Sequence, residues 1–312
     1  MTQDASKKTE RIHPVEDYPF LFDCNPEWIA IFDEQIQLIR EDIHRARSED
    51  KQIVYLSCPI SPRGGGNSPT NVEIARATQH RLHSRWGNRL WVLNPAMYQM
   101  ESKGGAGLMN RHAKKLRVPL PETPPLGGDY MRMWSKVLIE ETLPLLVKKD
   151  PYPGPHFGRC FDAYYFLGPS DVHHFFTQGM DVPLTEVIEK YFAQRFAVDA
   201  DFRDQYSDRP VIDWGKPSKE QSRADQDDRD AWEAKRKDFF RFYALRAGVN
   251  YSLGSHDEWN ILVEINRKRV ADRDKNGFPN VGELMSAWFD GCQVPPGAVE
   301  TRTQAGYDVS GN

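Results

Sequence analysis

Residues 52–96 constrain this chain more than any other part of its 312 residues. The segment 52–59 (QIVYLSCP) is short, apolar and β-branched at its start, the pattern of a strand buried on both faces. A loop with three consecutive glycines follows at 60–70 (ISPRGGGNSPT). Asn71 then stands as N-cap of a helix over 72–86 that carries Ile74, Ala75, Ala77, Thr78 and Leu82. Residues 90–96 (LWVLNPA) read as a second strand directly after Gly87. Strand, loop, helix and strand in that order imply parallel strands joined by a right-handed crossover. The expected class is therefore α/β, with a parallel sheet and flanking helices.

The flanking segments extend this unit. Asn25-Pro26 opens a helix in which Ile29, Ile31, Phe32, Ile36, Ile39 and Ile43 recur at three- and four-residue steps to about Ser48. After Gly127-Gly128, Asp129 stands at the mouth of a helix running to about Val147. A third strand is expected over 161–168 (FDAYYFLG), ending in a Pro169-Ser170-Asp171 turn, and a further amphipathic helix over 185–196. Residues 104–125 break the periodic pattern with Gly, Pro and basic residues and read as a long functional loop or lid. Three regions result: a polar lead-in over 1–24, an α/β domain over 25–210, and a mainly helical C-terminal extension over 211–312 with a frayed tail. In the extension, 232–247 and 257–270 look helical, and Ser255 and Glu258 are spaced as a capping box.

Composition narrows the function classes. Forty-one Lys and Arg against 45 Asp and Glu leave a net charge of −4, so no global field gathers polyanions, and nucleic acid is not the expected partner. Mean hydropathy is −0.67. No apolar stretch approaches the roughly 20 residues that cross a bilayer, so no membrane partner is expected. The four cysteines, Cys24, Cys58, Cys160 and Cys292, lack metal-ligand spacing, and the N-terminus has no apolar signal core. A reducing, cytoplasmic setting is the expectation.

Several residues stand where chemistry could occur. The glycine loop, with Arg63, Gly64, Gly65 and Asn67, lies at the C-terminal end of a strand, where open α/β sheets bind ligands. It matches neither G-x-x-x-x-G-K-[ST] nor G-x-G-x-x-G, so no P-loop or dinucleotide fingerprint is present. Cys58 and Arg63 are separated by four residues, one short of a thiolate phosphatase loop. Asp129, Asp171 and Glu186 fall at loop edges of the same sheet. Asp129 and Glu186 also sit where a helix dipole favours an acid. His173 and His174 are adjacent, which on an extended chain turns their rings opposite ways. Asp272, Asp274, Asn276, Gly277 and Glu283 fit the twelve-residue calcium loop. Pro279 occupies its eighth position and no second loop pairs with it, so an Asx-type turn between helices competes with calcium. No metal is expected elsewhere.

A Tyr-Leu-x-x-Pro strand (Tyr55, Leu56, Pro59), an Asn-led helix, an Asn-Pro strand end (Asn94, Pro95), a Gly-Gly-Asp-Tyr helix start and a Phe-Asp-Ala strand followed by acid and helix occur here in order. Over about 52–200 the chain thereby resembles the nucleoside 2-deoxyribosyltransferase-like family. The resemblance implies a Rossmann-like α/β fold, no cofactor, and cleavage of a nucleoside or nucleotide N-glycosidic bond with transfer of the sugar to another base or to water. It also implies Glu186 as nucleophile, Asp171 as acid/base partner, Asp129 as ligand of a sugar hydroxyl and Tyr55 as the residue orienting the nucleophile. The turn before Glu186 (Val182-Pro183-Leu184-Thr185) departs from the family's Gly-Thr-x-x-Glu, so Glu189 competes for the nucleophile's role. Arg63, Gly64, Gly65, Asn67 and Asn94 would bind substrate, with Lys114, Lys115 and Arg117 adding charge for a nucleotide. The resemblance also implies that such sites are completed across subunits, which makes a homo-oligomer possible, although the sequence does not give the oligomeric state. Two other readings stand beside this one: a non-catalytic nucleotide sensor and a NAD-type glycohydrolase.

Overall fold

The computed structural model describes residues 9–100, 103–140, 157–202, 233–234, 236–276 and 284–311. Its centre is a five-stranded sheet built from β3 (Gln52–Ser57), β4 (Leu90–Leu93), β5 (Ala163–Phe166), β6 (Ser286–Phe289) and β7 (Cys292–Gln293) in the order β4-β3-β5-β6-β7. The first four strands run parallel and β7 returns antiparallel. The α/β parallel sheet expected from the sequence is thus present, compatible with a Rossmann-like fold. Two further strands, β1 (Glu10–Ile12) and β2 (Phe22–Cys24), form a separate antiparallel pair.

Ile53, Tyr55 and Leu56 of β3 are fully buried, as an apolar central strand requires, and burial of each such side chain contributes about 1.5–3 kcal/mol. On one face lie α1 (Ile29–Ser48), α4 (Gly127–Ile139) and α7 (Leu253–Asn276), packed on one another. On the other, α2 (Ser68–Trp86), α5 (Pro169–Thr177) and α6 (Leu184–Val198) follow in contact. The apolar stripe of α1 faces inward, with Ile31, Phe32, Ile36, Ile39 and Ile43 all buried.

Several local expectations change. α2 begins one turn earlier than Asn71. Its cap is Asn67, whose Oδ1 accepts from the Thr70 backbone N–H at 2.8 Å, because Ser68-Pro69 is tolerated within a first turn. Asn71 is instead buried inside the helix, donating to the carbonyls of Ile60 and Ser61 at 3.3 and 3.1 Å. The segment expected to be a lid contains α3 (Lys103–Leu116). Its glycines disfavour helix, but Ala113 is buried, buried His112 bonds Gln35 at 2.7 Å, and Lys115 pairs with Glu34. Docking on α1 therefore outweighs propensity. Pro169-Ser170-Asp171 is the first turn of α5 and not a turn between elements.

Both ends of the chain are more integrated than their composition implies. Tyr18, Phe20 and Phe22 of the expected lead-in are buried. The C-terminal region is no helical appendage, since β6 lies in register beside β5. The residues after α8 (Pro296–Val299) lie along α7: Asn260 Oδ1 accepts the Thr303 N–H at 2.8 Å, and the Val309 N–H reaches the Leu21 carbonyl at 2.8 Å. No helix among the described residues is long and apolar enough to cross a membrane.

Candidate active site

The parallel strands in their chain order occupy positions 2-1-3-4 across the sheet. Connections from β3 and from β4 therefore leave in opposite directions beside the C-terminal end of β3, the crevice where such sheets take ligands. A cleft of about 240 Å³ opens at that point. Its lining includes Cys58, Ile60 and Ser61 after β3, Ser68 of α2, Pro95 and Tyr98 after β4, Tyr130 and Trp134 of α4, Ser255 and Glu258 of α7, and Tyr307.

Glu258 is the acid of this cleft. It is 5% exposed, and its Oε1 accepts a hydrogen bond from the Tyr55 hydroxyl at 2.7 Å. Its Oε2 is buried without a hydrogen bond of good geometry among the described residues. Burial pushes its carboxyl up to about 7, opposed by the nearby Ser57 and Tyr55 hydroxyls and reinforced by the charge of Asp257. The Ser57 hydroxyl makes no bond of good geometry of its own. Tyr55 is raised well above an ordinary phenol, first by burial and then by Glu258, so it stays a proton donor to the carboxylate. Its ring is fixed edge-on against Trp134 at 5.7 Å and Phe161 at 5.9 Å. Packing thereby holds the hydroxyl that holds Glu258. Burial raises the Cys58 thiol far above its usual value, so it is no thiolate nucleophile.

Of the residues singled out in the sequence, Cys58, Ser255 and Glu258 line this cleft, and Tyr55 stands behind it, fully buried and bonded to Glu258. Arg63 does not line the cleft; it is exposed, with its guanidinium 5.8 Å from the centroid of the ring of Tyr307, which does. Gly65, at φ +104°, lies where an added Cβ would meet the Asp238 carbonyl oxygen at 2.9 Å; it turns the chain under steric constraint. Gly64 belongs to the same short helical turn, Arg63–Gly65. Asn67 caps α2 from a fully buried position. Asn94 caps the turn after β4, accepting from the Ala96 N–H at 3.0 Å and donating to Gln79 at 3.2 Å.

The three expected acids do not come together. Glu186 is exposed in the first turn of α6, and Glu189 is exposed and paired with Arg236. Asp171 is buried on a different face: its Oδ2 accepts the Gly168 N–H at 2.9 Å, and its Oδ1 takes the Tyr165 hydroxyl at 2.8 Å and pairs with Arg81. Asp129 accepts the Leu126 N–H at 2.7 Å and the Asn25 N–H at 2.9 Å. None of the three lines the cleft. Each sits in a first helical turn, where unsatisfied N–H groups attract a carboxylate, and Asp129 and Asp171 each give one oxygen to such a group. Asp129→Ala is expected to lose about 2–3 kcal/mol of stability, since it leaves two partly buried N–H groups unpaired. Denaturant unfolding measures this, and an unchanged midpoint would contradict it.

Glu258 was hidden by its spacing to Ser255. α7 begins at Leu253, before Ser255, so neither residue caps the helix. Tyr55 and Glu258 are 203 positions apart, and no local pattern links them. Asp272, Asp274 and Asn276 are continuous α7 helix, which does not wrap an ion. Gly277, Pro279, Asn280 and Glu283 lie outside the described residues. Among the described residues no cluster of His, Cys, Asp and Glu is placed to hold a metal. Comparison with family models, curated proteins and solved structures finds no match for the chain.

Proposed function

We propose that the protein cleaves or transfers at the N-glycosidic bond of a nucleoside or nucleotide, with Glu258 as the carboxylate nucleophile. The observation that carries this reading is the Tyr55–Glu258 pair, one oxygen held at 2.7 Å and the other without a hydrogen bond of good geometry among the described residues, in a cleft at the sheet's switch point. Tyr55 keeps the orienting role that the family resemblance implies. The nucleophile comes from the C-terminal region and not from α6.

The chemistry suits the side chains. As the bond to the base breaks, positive charge grows on the anomeric carbon and negative charge on the departing base. A carboxylate aimed at that carbon, in a site of low dielectric, stabilises the transition state. Glu258 Oε2 then bonds to the carbon, and the base leaves with the electron pair and takes its proton from solvent water. Water or a second base releases the sugar. Tyr98, Tyr130, Trp134 and Tyr307 offer ring surface to a planar base, and Arg63 over the Tyr307 ring supplies positive charge for a nucleotide's phosphate.

A panel of nucleosides and nucleotides tests the reading directly. Release of free base supports it, and the absence of release from every member overturns it. A nucleophile must be ionised, so kcat/KM is expected to fall about tenfold per unit below an ionisation near pH 7 in the free enzyme. A flat profile between pH 5.5 and 8.5 contradicts the role of Glu258. In Tyr55→Phe this limb is expected to move to higher pH, because a bond that favours the anion is gone.

A further inference from the structure

Chain ends fray unless tied down, and residues 306–309 are tied twice. Asp257 of α7 is fully buried and accepts the N–H groups of Gly306 at 2.8 Å, Tyr307 at 2.6 Å and Asp308 at 3.4 Å. Three such bonds satisfy a carboxylate whose pKa burial nevertheless pushes up to about 6. The approach is so close that a Cβ on Gly306 would lie 1.9 Å from the Leu253 carbonyl oxygen. Beyond it, Asp308 Oδ1 accepts the Leu21 N–H at 3.0 Å.

Tyr307 stands between the two anchors and lines the cleft with Glu258. Its ring approaches Gly127 so closely that a Cβ there would lie 2.1 Å from it, and Arg63 stands over the ring. Asp257 precedes Glu258 in sequence, so a single turn of α7 fixes both the reacting carboxylate and the segment that walls the cleft.

We propose that residues 306–309 form a fixed strap that sets ligand affinity. Asp257 is its positioning residue, and Tyr307 is the specificity-determining residue, its ring the wall against which the planar base of a nucleoside packs. This inference rests on the nucleoside reading of the cleft.

Loss of one base–aromatic contact weakens binding by about tenfold or more. Tyr307→Ala is therefore expected to raise KM for the best nucleoside by about that factor while kcat stays within about threefold. Tyr307→Phe, which keeps the ring, restores most of the affinity. Asp257→Asn is expected to raise KM in the same direction. An unchanged KM in a folded Tyr307→Ala protein overturns the proposal.

Titration of the Glu258→Gln protein with adenosine and thymidine, read by the fluorescence of Trp134, separates this inference from the reaction. Binding that Tyr307→Ala removes, while the unsubstituted protein releases base from no nucleoside or nucleotide, supports the strap and overturns only the glycosidic reading. Turnover with unchanged KM in Tyr307→Ala overturns the strap alone. No binding of either nucleoside overturns both.

Discussion

Glu258→Gln is expected to abolish base release and at the same time to stabilise the protein above neutral pH. The kinetic loss is on the order of 10³-fold or more, as for the removal of other nucleophiles that act within a unit. The gain in stability follows from the sign of the shift. The folded-state pKa of Glu258 is raised from 4.5 to about 7, so the unfolded chain ionises first. Below about pH 4.5 both states are protonated and no penalty exists; between about 4.5 and 7 stability falls, and above 7 the full cost of a buried anion is present. That cost is about 3 kcal/mol from the size of the shift. Gln recovers part of it, because its amide is neutral but leaves a donor to be satisfied. Thermal unfolding at pH 5 and pH 8 reads the effect: the variant's Tm is expected to exceed wild type by several degrees at pH 8 and to match it at pH 5. A lower Tm than wild type at both values would contradict the burial argument, and retained base release would remove Glu258 from the chemistry.

A single methyl group at position 128 is expected to be among the most damaging small changes in the fold. Gly128 lies in the first turn of α4, where a Cβ would stand 2.1 Å from the Asp23 carbonyl oxygen of β2. That oxygen belongs to backbone and has no rotamer by which to retreat, so α4 must lift from β2. Gly128→Ala is expected to lose about 3 kcal/mol or more. Because Tyr130 and Trp134 of α4 line the cleft, ligand affinity is expected to fall with it. Gly107 makes the opposite case. It also lies in a helix, α3, but a Cβ there meets nothing within 4 Å, so Gly107→Ala is expected to gain about 0.5–1 kcal/mol through helix propensity. Urea unfolding of the two variants should therefore move the midpoint in opposite directions. Equal shifts would mean that close approach to β2 is not what requires glycine at 128.

The β-loop-α-β unit was legible in the sequence because its signals are local. An apolar β-branched run and a three- and four-residue stripe each act through backbone sterics or burial within a few residues, and β3, β4 and α1 follow them closely, while α2 starts one turn before the Asn71 cap that was read. The misread segments fail for an equally definite reason. α3 opens on glycines that hide its helix formers, and it is held by Gln35 and Glu34 of α1, far away in sequence. The strand β6 carries the pattern of any short apolar run, and only pairing with β5 makes it part of the sheet.

The candidate site divides along the same line. Residue type and position along the chain sufficed to place Tyr55 on a central strand and the glycine loop at that strand's end, since both depend on local order alone. They also placed Asp129 and Glu186 at helix starts and Asp171 in the turn after the third strand, and Asp129 and Asp171 each give one oxygen to an N–H group at a helix start. Which carboxylate meets Tyr55 was decided only by the packing of α7 against α4 and by the pinning of residues 306–308 to Asp257. The physical reason is one of range: hydrogen bonding and burial across 203 positions leave no periodicity behind them, whereas a strand, a cap or a turn writes its requirement into neighbouring residues.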